Sequence, residues 1–192
     1  MSQPQIPYIT RWSAERSEPA PIVASLGGIG YADETLGDRD SRGVLWARMP
    51  SRPGQGRPEL GNIHSSRQRR AMRKLLCQVC AEPADTTADG VLWVLKDHRG
   101  DWAGWPNGMG VTEPPICLSC ARLAARACPA LRSGHIAVRV RAHAIAGVFG
   151  LRYRAGLVES GNGELVSFSE SHIRWTLASQ LVRELHDCTI LS

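Results

Sequence analysis

Apolar and polar positions along the chain predict a set of short strands and three helices. The stretch HIAVRVRAHAI (135–145) largely alternates apolar and polar side chains, the period of a half-buried strand. LRYRAGLVE (151–159) and ELVSFS (164–169) flank a Ser-Gly-Asn-Gly turn and are expected to pair as a hairpin. VLWVL (91–95) reads as a buried strand, and PIVASLGGIGY (21–31) and GVLWARM (43–49) as strand-like pieces around the acidic loop ADETLGDRD. Helical spacing of Ala71, Met72, Leu75 and Leu76 predicts a helix over 65–76, capped by Ser65 or Ser66, with Arg67, Arg70 and Lys74 on its opposite side. CLSCARLAARAC (117–128) reads as a second helix, ended by Pro129. Ile173, Leu177, Leu181 and Leu185 recur at every fourth position and predict a third helix over 171–187, one face packed on the sheet. PSRPGQGRPELGN (50–62) and KDHRGDWAGWPNGMGVTEPP (96–115) read as loops.

These elements predict a small α+β protein with an antiparallel sheet. It divides into an N-terminal strand and loop region (1–62), a central cysteine-bearing module (63–130), and antiparallel strands with a C-terminal helix (131–192), which together can form one globular unit. YADETLGDRDSRGVLW (31–46) and PADTTADGVLW (83–93) share an Ala-Asp start and a Gly-Val-Leu-Trp end. Two such units do not make a repeat array, and convergence of a turn and a strand accounts for them.

With 192 residues the chain has no apolar run near the ~20 residues that span a bilayer. Its start, MSQPQIPYITRWS, lacks a basic region followed by an apolar one, so a cytoplasmic location is expected. Six cysteines in a cytosolic chain favour a metal over disulfides.

Two CxxC pairs, Cys77/Cys80 and Cys117/Cys120, carry the clearest chemistry. Zinc takes four ligands in a tetrahedron and favours thiolate sulfur, and a CxxC turn puts two sulfurs on one side of a metal. The second pair opens a predicted helix, where unpaired N–H groups and the helix dipole favour thiolate. Four thiolates leave no position for substrate, so the expected Zn2+ is structural. Cys128 and Cys188 read as core residues.

The order of helix, CxxC turn, strand-bearing loop and CxxC opening a helix resembles the treble-clef zinc-finger superfamily. Within it, residues 77–125 resemble the HNH nucleases distantly, through Asp97 and His98 after the strand VLWVL. The HNH pattern is not matched further. Ala121 stands where a histidine follows the last cysteine, and Thr112-Glu113-Pro114-Pro115 stands where an asparagine is expected. A metal near His98 would therefore lack a protein ligand.

The formal charge of +5 is modest, and of 23 basic residues only Lys74 and Lys96 are lysine, a bias that fits a GC-rich coding sequence. Two basic faces are nonetheless expected. Arg67, Arg69, Arg70, Arg73 and Lys74 lie on the first helix, and Arg139, Arg141, Arg152 and Arg154 on the outward face of the C-terminal strands. Such patches bind phosphate backbones, or are ordinary solvated faces. Trp93, Trp102 and Trp105 read as packing around a small core, and Asp33, Glu34, Asp38 and Asp40 as solvated turn residues. The functional expectation is a zinc-containing nucleic-acid-binding or regulatory accessory protein, with DNA or RNA as partner. The alternatives are an adaptor that binds a protein partner and, more weakly, a divergent HNH-like nuclease.

Overall fold

A computed structural model describes residues 6–16, 20–25, 27–131, 134–154, 157–158 and 163–191. In chain order the first strands are β1 (Thr10–Trp12), β2 (Ile22–Ser25), β3 (Gly28–Tyr31), β4 (Leu45–Trp46) and β5 (Pro58–Ile63). Helix α1 (Ser65–Lys74) follows, then β6 (Thr86–Thr87), β7 (Gly90–Lys96), β8 (Met109–Val111) and helix α2 (Leu118–Ala127). The chain closes with β9 (His135–Arg154), β10 (Leu157–Val158), β11 (Glu164–Ser167) and β12 (Thr176–Ile190). A mixed sheet and two helices make the fold α+β. Among the described residues no helix is long and apolar enough to cross a membrane.

The long strand β9 organises the sheet, whose main path is β4-β12-β9-β7-β6. One edge of β9 takes β7 (Val91 opposite Val140, Lys96 opposite His135), then β11 (Ser167 opposite Gly147), then β10. Its other edge takes β12, from Ile190 opposite Val138 to Thr176 opposite Arg152. The expected strand over 135–145 and the first part of the one expected over 151–159, as far as Arg154, are thus parts of one strand, whereas Leu157 and Val158 pair back on it as β10. The segment at 164–167 pairs with residues 147–150 rather than with 151–159. The turn expected between them lies, over 160–162, outside the described residues.

Three further expectations are corrected. Residues 171–187 are not a helix: a short 3-10 turn (Ser171–Trp175) leads into β12. A spacing of four returns to the same side of a helix and also of a strand, so the leucines alone do not decide between them. The register breaks of β12, between Ala178 and Gln180 and between Val182 and Arg183, further blur its alternation. The sheet is not wholly antiparallel, because β4 joins β12 in parallel, Leu45 opposite Leu177. The region 50–62 is not all loop, since β5 pairs with β1, and the strand-like piece at 21–31 holds two strands, β2 and β3, paired antiparallel.

Strand β7 is buried on both faces, which explains its unbroken apolar run. Val91, Trp93 and Leu95 pack with Val138, Val140, Leu185 and Trp105. Leu92 and Val94 face the other way, into a cluster with Val79, Ile116, Cys77 and Cys120. Helix α1 lies against β12 and completes its edge. Between the stretches of β12 paired with β4 and β8, the Gln68 amide takes the place of a strand. Its Oε1 accepts from Leu181 N (2.9 Å), and its Nε2 donates to Leu181 O (2.9 Å) and Thr112 O (2.7 Å). The buried Arg183 donates to the carbonyl of Met72 in the last turn of α1 (2.7 Å), where a cation opposes the helix dipole.

Candidate functional site

Helix α1 delivers the chain to the first cysteine pair. Leu75 turns left-handed (φ 52°) and its N–H closes the helix on the Ala71 carbonyl. Residues 75–84 then form a small hairpin, held by Ala84 N to Leu75 O (2.9 Å), the Leu76–Pro83 bridge and Cys77 N to Glu82 O (2.7 Å). At its tip Ala81 is also left-handed (φ 65°), and the Val79 N–H points at the Cys77 sulfur (3.4 Å). This bent loop presents Cys77 and Cys80 together. The second pair opens α2: Cys117 is its N-cap residue and Cys120 lies in its first turn.

The four sulfurs all lie within 4.8 Å of one another, a cluster positioned to hold one metal ion. Cys80 and Cys117 are 3.8 Å apart. A tetrahedral zinc with bonds of about 2.3 Å requires sulfurs about 3.8 Å apart, so the donor set fits in kind and size. Cys77 and Cys120 are buried, whereas Cys80 and Cys117 are half-buried. Burial raises the Cys117 thiol, but hydrogen bonds from Ser119 and Cys120 outweigh it and bring it down to about 7. Cys120 and Cys80 are pushed up, first by burial and then by their sulfur neighbours. A divalent cation would reverse that penalty by favouring all four thiolates. Cys128 and Cys188 stand apart and half-buried, and burial pushes Cys188 up to about 11.

The expected basic residues fall into three environments. Arg67 is not on the solvent side of α1. It is buried, with a two-pronged pair to the fully buried Glu15 (2.7 and 2.6 Å) and a bond to Thr10 O. The reason is the orientation of the helix: its inward face is Arg67, Gln68, Ala71 and Met72. The helix cap is also different from expectation, because His64, not Ser65 or Ser66, accepts from Arg67 N. Arg69, Arg70, Arg73 and Lys74, with Ser66, line a shallow groove along the outward side. Arg69 stacks on Trp46 at 3.7 Å, and burial brings it down to about 10. Arg70 reaches the Tyr8 hydroxyl (3.3 Å), and Arg73 lies 3.5 Å from Asp40.

On the sheet, Arg139 is buried on the side of the cysteine cluster rather than outward. It pairs with Asp85 and donates to Asp85 O (3.1 Å), because its face of β9 is the one shared with Ala137. Arg141 is exposed, 3.9 Å from Asp89, and Arg152 pairs with Glu164 at 3.0 Å. Arg154 is exposed at the far end of β9.

Asp97 and His98 follow β7 as expected. Asp97 pairs with Arg99 (2.8 Å) and His98 with Asp101 (3.1 Å), both near the surface. Asn107 is engaged with Gly104 O and Cys188 N. Among the described residues, the four cysteines are the only group of three or more His, Cys, Asp or Glu residues placed to hold a metal. Trp93 and Trp105 are core residues and Trp102 is exposed. Asp33, Glu34 and Asp38 serve as partners of Arg48 and Arg39.

Sequence reasoning missed the Glu15–Arg67 pair, the Gln68 plug, the Arg69–Trp46 stack and Tyr8. Each joins residues far apart in the chain. The one legible hint was the polar Gln68 among the inward positions of α1. Comparison with known families, with curated proteins and with solved structures finds no match to this chain.

Proposed function

We propose that the four cysteines hold one structural zinc in a treble-clef-like module, and that the protein is a nucleic-acid-binding or regulatory accessory protein using the outward side of α1. The module reading is supported by the bent loop at Cys77–Cys80, the β6–β7 hairpin and the entry of Cys117 and Cys120 into α2. Four thiolates in a tetrahedron favour zinc or iron, and leave no coordination position for chemistry.

The observation that carries the nucleic-acid reading is the groove of Ser66, Arg69, Arg70, Arg73 and Lys74, where, among the described residues, four cations meet one carboxylate, Asp40. The strand arginines are weaker candidates, since Arg139, Arg141 and Arg152 each have an acidic neighbour. Three or four phosphate contacts give an affinity that drops about 100-fold between roughly 50 and 200 mM salt. Arg73→Glu with Lys74→Glu, which leaves the Trp46 stack in place, should weaken binding of a short fluorescein-labelled duplex at low salt by at least about tenfold. Fluorescence anisotropy reads both. Salt-independent binding, or an unaffected double variant, defeats the reading.

A protein-interaction adaptor is the second reading. It is favoured by Leu118 and Leu123, 44% and 40% exposed on α2 beside the cysteines. It predicts salt-resistant association with a protein and no shift of the duplex.

A further inference from the structure

The Cys77–Cys80 loop does more than present two sulfurs. Its middle residues carry the N-terminal segment of the chain: Tyr8 N donates to Val79 O (2.9 Å) and Ile9 N to Gln78 O (3.3 Å). Tyr8 in turn meets the basic helix. Its hydroxyl accepts from Arg70 (3.3 Å), and the Arg70 guanidinium lies 5.8 Å from the centre of its ring. The other end of the segment is tied to the start of α1, with His64 N donating to Ile9 O (2.8 Å) and Arg67 to Thr10 O (2.6 Å). A continuous path therefore runs from the sulfurs through Gln78 and Val79 to Tyr8 and on to Arg70.

The loop is costly to hold in this shape. Leu75 and Ala81, neither of them glycine, are both left-handed on either side of the first cysteine pair. Such backbone is disfavoured for any residue but glycine and persists where surrounding structure enforces it. The two pairs are further linked by Gln78 N to Pro115 O (3.0 Å), just before Cys117. A metal drawing both pairs together would enforce the loop, and its loss would let the loop and the Tyr8 segment relax.

We propose that metal occupancy at the four cysteines sets the polyanion affinity of α1, with Tyr8 as the positioning residue that carries the effect to Arg70. The proposal rests on the nucleic-acid reading above and adds regulation to it. Coupling of this kind is reciprocal. A bound polyanion raises zinc affinity by the same factor by which zinc raises polyanion affinity.

The test compares zinc-loaded wild type, Tyr8→Ala and Tyr8→Phe for duplex binding at low salt and for zinc content, with amide exchange of wild type before and after chelation. Tyr8→Ala should bind about threefold to fivefold more weakly, the size of an exposed cation–π contact, with its zinc retained. Tyr8→Phe, which keeps the ring, should bind much as wild type does. Chelation should speed exchange at Tyr8 and Ile9. Binding by wild type with an unaffected Tyr8→Ala, or with Tyr8 and Ile9 amides indifferent to metal, overturns the coupling and leaves the basic surface standing. Absence of binding by zinc-loaded wild type overturns the nucleic-acid reading itself, and the coupling with it.

Discussion

Glu15 shows what one residue decides. It is fully buried, yet its two oxygens accept from Arg67, from Trp12 N (2.8 Å) and from Arg52 N (2.8 Å). Burial raises its carboxyl, but the Arg67 bond and the two backbone donors outweigh that and hold it at about 2, below the ordinary 4.5. A carboxylate depressed on folding stabilises above its unfolded value and loses that contribution as pH falls. Urea midpoints should therefore fall steeply from about pH 4.5 toward pH 2. His64 adds to this in the same direction, because burial holds it below its ordinary 6.5 and favours the neutral ring in the folded state. Glu15→Gln strands the Arg67 charge and should cost about 3–5 kcal/mol at neutral pH, with a flatter acid dependence. An unchanged midpoint for that variant would show that the pair contributes little.

At the scale of elements, β7 and β9 position the cysteine cluster. Leu92 and Val94 form the floor on which Ile116 and Ala121 pack, so the hairpin entering β7 controls the site from beneath. Gly90 begins that strand at φ 115°, and a Cβ there would run into the Val140 carbonyl of β9. Both effects oppose any side chain. Gly90→Ala should lower stability by about 2 kcal/mol or more, measured by urea unfolding of the zinc-loaded protein. A neutral result would mean that the β7–β9 pairing shifts readily. Between its two register breaks β12 is met by a side chain, Gln68, whose amide occupies the gap between β4 and β8.

At the scale of the whole molecule, the cysteines tie together segments that the sheet alone leaves apart: the end of α1, the start of α2 and, through Gln78 and Val79, the N-terminal segment. Metal removal is expected to loosen these three segments together. The purified protein should carry one zinc per chain, and Cys117→Ser should lose it together with a large part of its thermal stability, since metal binding to such sites supplies folding free energy directly. Full metal-free stability would relegate the cluster to a minor role.

Short-range codes in the sequence determined a good deal. The CxxC spacing specifies each cysteine pair, because two residues between cysteines fix both sulfurs locally, whereas the meeting of the two pairs is a tertiary contact. The stripe of Ala71 and Met72 specifies α1, Pro129 helps end α2, and the apolar run at 91–95 specifies a doubly buried strand. What the tertiary structure alone decided was every choice between partners. Leu177, Leu181 and Leu185 suit a helix or a strand equally, and the open edge of β9 made them a strand. The chain pattern does not distinguish Arg67 from Arg70, yet Glu15, 52 residues away, buries one while Tyr8 receives the other near the surface. Those outcomes depend on contacts between distant segments, whose energies no local pattern contains.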